Sequence, residues 1–151
     1  MTRIDGWENK LETYLLGRAE QKLVWGSTDC CMFVADSIKA VTDVDVAPYF
    51  RGKYNRMRAA YAMLKRYSGG GSVQETWEKL ALEYNMTKIE SKDLQAGDIV
   101  TMRAEAHNAV AGRLSNGVTV GVQSFDAGIL SQGPNGVMLT QEPEIVSAWK
   151  I

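Results

Sequence analysis

Trp25-Gly26-Ser27-Thr28-Asp29-Cys30-Cys31-Met32-Phe33-Val34-Ala35-Asp36 is the stretch that decides how this 151-residue chain is read. A glycine turn leads into a Thr-Asp pair, and either Thr28 or Asp29 is placed to cap a helix running from about Cys30 to Val41. Phe33, Val34, Ile38 and Val41 form the apolar stripe of that helix, and Cys30 shares its edge, so Cys30 faces the body of the protein. The Cys30 sulfur therefore sits in a first helical turn, where unpaired N–H groups and the positive end of the dipole stabilise an anion. A thiol there loses its proton readily, and the thiolate is the reactive species. The same residue also reads as a small buried hydrophobe.

Working outward, Ile4, Trp7, Leu11, Tyr14 and Leu15 recur at helical spacing and predict a helix over residues 4–20. Residues 42–53 read as a loop. A third helix, about 54–67, buries Met57, Tyr61 and Leu64 and turns Arg56, Arg58, Lys65 and Arg66 outward. Gly69-Gly70-Gly71 ends it, and Ser72 with Glu75 makes a capping box for a fourth helix that buries Val73, Trp77, Leu80, Ala81 and Tyr84. After about Ile89 the pattern changes to short alternating runs. Gly97-Asp98-Ile99-Val100 reads as a turn feeding a strand. Residues 109–114 and 118–122 read as two strands joined by an Asn116-Gly117 hairpin turn. Further strands are expected at 128–130, 137–140 and 145–149. Helices first and an antiparallel sheet after them is the α+β class, in a single domain over 1–151 with a helical half at 1–88 and a sheet half at 95–151.

Composition narrows the function. A net charge of -1 gives no electrostatic case for nucleic acid, and no apolar run reaches the length of a membrane span. The two cysteines are neighbours, so a disulfide between them would be strained and would close almost no loop; both are expected as free thiols in a reducing compartment. Two adjacent cysteines and a single histidine, His107, make no zinc spacing, and no cofactor is expected.

Asp29-Cys30 at a helix start, Gly97-Asp98 opening a strand, then His107 ahead of a hairpin resembles the NlpC-type cell-wall peptidases, which are papain-like cysteine hydrolases. A closer resemblance is to small tail-tip-associated proteins of tailed phages and prophages. It rests on Trp25-Gly26, Asp29-Cys30, Phe33-Val34-Ala35-Asp36, Arg51-Gly52-Lys53-Tyr54, Gly97-Asp98 and Ala148-Trp149, and it spans nearly the whole chain. The resemblance implies a papain-like fold and a virion tail or baseplate role, with other tail proteins as partners. It places the protein in the host cytoplasm during assembly and then in the virion.

The peptidases begin their second strand with His-Val-Gly-like residues, whereas here the run is His107-Asn108-Ala109-Val110-Ala111-Gly112. Aligning on the glycine puts Ala109 in the histidine position, and the two-residue offset moves the imidazole by about 6–7 Å. Two readings follow. One is a structural tail component that keeps the fold as a packing module. The other is a cysteine peptidase or amidase acting on peptidoglycan stem peptides, in which the resemblance makes Cys30 the nucleophile, His107 the proton shuttle and Gln123 the orienting residue. Met32 and Phe33 after the nucleophile are expected to crowd its cleft. Tyr49, Phe50 and Tyr54 are the exposed aromatics expected to meet a protein partner.

Overall fold

The helix expected to open at Cys30 spans Cys30–Thr42 (α2) and lies deepest of the helices. Met32, Phe33, Val34, Ala35, Ile38 and Val41 are each no more than 1% exposed. Around it stand α1 (Trp7–Arg18), α3 (Met57–Ser68) and α4 (Val73–Glu83). The computed structural model describes residues 1–104 and 117–151. The first helix is shorter than its apolar spacing predicts. Gly6, at φ 71°, starts it in a left-handed conformation that favours glycine, and the Ile4 N–H goes to the Val41 carbonyl instead (2.9 Å). The Ser72 half of the expected capping box forms at α4: Ser72 Oγ accepts the Glu75 N–H at 3.0 Å.

Among the described residues six strands follow: β1 (Thr87–Ile89), β2 (Ile99–Arg103), β3 (Val118–Gln123), β4 (Ile129–Gln132), β5 (Val137–Thr140) and β6 (Ile145–Lys150). They form one sheet in the order β1-β6-β2-β3-β4-β5, and every adjacent pair is antiparallel. The fold is α+β, with the helices first, as the change of periodicity predicts. Side chains alternate across the sheet. Ile99, Val120, Val122 and Trp149 join the main core with α2 and α4. On the opposite face Val100, Met102, Ile129 and Ala148 gather with Ile89, Leu94 and Ile145.

One expectation meets the structure differently. Strand β1 starts inside the half expected to be helical, because its three residues carry no readable period and take their register from β6, with Ile89 opposite Ala148. Residues 118–122 fall in β3, whose described partner on one side is β2, Ile99 opposite Val122 and Arg103 opposite Val118. The other arm of the expected hairpin, 109–114, lies outside the described residues, as do Asn116 and His107. Among the described residues, no helix is long and apolar enough to cross a membrane.

Candidate functional site

The loop before α2 is built around one carboxylate. Asp29 is 2% exposed, and Oδ1 caps the helix by accepting the Met32 N–H at 3.0 Å. Its Oδ2 accepts the Gly26 N–H at 2.8 Å and the Tyr54 hydroxyl at 2.6 Å. Gly26 is obligatory here. Its φ is 83°, and any Cβ would collide with the Tyr54 carbonyl oxygen. Its own carbonyl accepts the Gly52 N–H at 3.0 Å. The Trp-Gly, Asp-Cys and Arg-Gly-x-Tyr motifs, separate in sequence, thus close on one another.

These bonds fix Cys30 as the first residue of α2. It is half-buried and packs against the main core, as does Cys31. The Cys31 thiol is pushed well above its ordinary value, first by its hydrogen bond with Cys30, then by burial and by the negative charges available at Cys30 and Asp29. The Trp77 indole opposes this, and its buried N–H has no other hydrogen-bond partner among the described residues. Burial, followed by the Asp29 charge, also drives the Tyr54 hydroxyl upward, so it stays a proton donor to that carboxylate. Met32 and Phe33 do not stand in a cleft beside Cys30 as expected. Both are fully buried in the core, on the side of the first turn of α2 that faces it.

Gln123 closes β3. By alternation it shares a face with Gly121, opposite the face on which Val120 and Val122 meet α2. Its amide donates to the carbonyls of Gly128 (3.2 Å) and Ser124 (3.4 Å), within its own turn. On β3 the helix-packed face carries Val118, Val120 and Val122. Among the described residues, no group of three His, Cys, Asp or Glu side chains could hold a metal ion.

The other motif residues are also tied to one another. Arg51 pairs with Asp36 (2.7 Å) and forks onto Asp45 (2.9 and 3.0 Å), which holds the Asp45 carboxyl below its usual range. Asp36 also faces Arg18 at 3.6 Å, and Arg18 reaches Tyr14, Thr28 and buried Gln132. Arg18, Asp36 and Arg51 line a cavity of about 470 Å³ beside the Gly26–Thr28 loop. Asp98, which reads as a turn former, does accept the Gln95 N–H at 2.9 Å, yet it is fully buried in an ion pair with Arg3 at 2.8 Å. Trp149 is a core residue, 3% exposed. Of the aromatics expected on the surface, Phe50 is 4% exposed in the core and Tyr54 serves Asp29, so of the three only Tyr49, at 40%, is open. Sequence reading missed Tyr54, Trp77 and Arg3 as neighbours of these groups, since nothing local marks a partner so far along the chain.

No curated protein matches the sequence. A family described as Domain of unknown function (DUF6950) matches residues 2–151, and the chain belongs to that family.

Proposed function

We propose that the chain is a structural or assembly component of a phage tail tip or baseplate, built on a papain-like fold of the NlpC type. Its partners are other tail proteins. The motif set that carries the resemblance supports the tail role. The observation that favours structure over catalysis is where the motif side chains go: Asp29 to Gly26, Met32 and Tyr54, Arg51 to Asp36 and Asp45, Asp98 to Arg3. Each satisfies another motif or a chain end, as residues kept for packing do. The valine face of β3 and the direction of Gln123 fit the same reading, since neither offers Cys30 a base or an orienting group.

The alternative reading, a peptidase or amidase with Cys30, His107 and Gln123, is favoured by one feature. Cys30 holds the first position of α2, where backbone N–H groups can face an oxyanion. The two readings separate in one experiment. Particles carrying Cys30→Ala are expected to contain the protein at wild-type level and to infect normally, and the purified wild-type chain is expected to leave peptidoglycan fragments intact. Hydrolysis that disappears with Cys30→Ala, and falls about 10²–10⁴-fold with His107→Ala, would establish the enzyme instead. Absence of the chain from particles would remove the tail assignment.

A further inference from the structure

Charge is distributed very unevenly along this chain. Between residues 46 and 74 there are six Lys or Arg and no Asp or Glu, leaving eleven basic against eighteen acidic residues elsewhere. Arg51 is internally paired. Lys53, Arg56, Arg58, Lys65 and Arg66 are all exposed and enter no ion pair among the described residues. They run along the entry to α3 and its outward side, where Ala62 leaves a low point between Arg58 and Lys65.

The neighbouring helix presents the opposite sign. α4 packs against α3, and its exposed positions include Glu75 and Glu78; Glu83 is already partnered by Lys79 (4.0 Å) and by the Tyr67 hydroxyl, and Leu82 at 80% exposure is the most open large apolar side chain described. The two rows meet at the Gly69-Gly70-Gly71 turn. Lys65 lies over Gly71 and the Glu75 carboxylate over Gly70, and farther from the turn Lys79 crosses the seam to donate to the Tyr67 carbonyl at 2.7 Å.

We infer that the α3–α4 face is a self-association surface whose occupant is a second copy of this chain. A two-fold axis running along the seam sets each basic row over the partner's acidic row, which is the self-complementary pattern a closed dimer requires. Leu82 and half-exposed Met57 supply apolar contact beside the charges. A nucleic acid or anionic membrane fits this face poorly, because a polyanion on α3 meets the Glu75 and Glu78 carboxylates alongside. The inference does not depend on whether Cys30 is catalytic.

Light scattering on the full chain tests it. Wild type is expected to be a dimer at low salt and to dissociate at high salt. Lys65→Glu with Arg66→Glu is expected to weaken association at least about tenfold, and so is Glu75→Lys with Glu78→Lys. Mixing the two reversed proteins is expected to restore a one-to-one dimer, since the reversed positions of each then face opposite charges on the other. Far-ultraviolet dichroism and melting confirm that these exposed changes leave the fold intact. A monomer at low salt and high concentration overturns the proposal. A dimer that ignores both reversals does too, as does a monomer that binds duplex DNA or anionic vesicles through these lysines and arginines.

Discussion

A buried carboxylate that accepts from Gly26, Met32 and Tyr54 holds a loop, a helix start and a distant segment together at once. Removing one donor tests how much that is worth. Tyr54→Phe keeps the ring and deletes a hydrogen bond to a charged group, and denaturant unfolding is expected to show a loss of about 1.5–3 kcal/mol. Gly26→Ala is expected to cost more than Tyr54→Phe, because it adds a collision with the Tyr54 carbonyl to a backbone strained at φ 83°. Cys31 makes a prediction in pH. Its folded thiol titrates well above its ordinary value, so the folded state holds that proton more tightly than the unfolded state does. Stability from this source is whole below the unfolded thiol value of about 8.5 and declines as pH rises from there toward the folded value. Cys31→Ala is expected to flatten the decline between neutral pH and the onset of tyrosine ionisation, as read by melting temperature against pH. In native protein at mildly alkaline pH, iodoacetamide is expected to leave Cys31 unmodified until the chain is unfolded.

Elements bounded by local chemistry were the most legible. Ser72 with Glu75 and Asp29 before Cys30 each act within one turn, so the starts of α4 and α2 could be read directly. Ser72→Ala is expected to destabilise the protein by about 1 kcal/mol in chemical denaturation, with α4 the first helix to lose amide protection in hydrogen exchange. Strand β1 was not legible, because three residues without alternation become a strand only when β6 is beside them. For the candidate site the division is the same. The place of Cys30 at a helix start follows from its own neighbours in sequence. The partnership of Asp29 with Tyr54 and the indole beside Cys31 depend on how α2, α4 and the segment before α3 pack. Gln123 shows a finer case: alternation tells which residues share its face, but only the contacts of Val120 and Val122 tell which face meets α2.

At the scale of the molecule, the two ends of the described chain are held by a single buried acid. Asp98 Oδ1 accepts from Arg3 Nη2 at 2.8 Å and from the Ile151 N–H at 3.2 Å, while Arg3 Nε donates to the Ile151 carbonyl at 2.8 Å. The Arg3 guanidinium also lies over the Trp7 ring, 4.0 Å from its centroid, which joins this knot to the first turn of α1. The Gly97-Asp98 turn that starts β2 is therefore also the point where helical half and sheet are fastened. Asp98 is fully buried, so removing its cation leaves an uncompensated charge in the interior, and that costs more than the pair itself contributes. Arg3→Ala is expected to lower stability by about 3–5 kcal/mol in denaturant unfolding. Arg3→Lys is expected to recover part of the loss, because one ammonium restores the charge but not the fork that reaches Asp98 and Ile151 together. Adding Asp98→Asn to Arg3→Ala is expected to be milder than Arg3→Ala alone, since the buried charge goes with its partner. If the double variant is instead the weaker of the two, Asp98 holds the Gln95 turn and β6 chiefly through its charge on backbone N–H groups, and Arg3 is secondary to them.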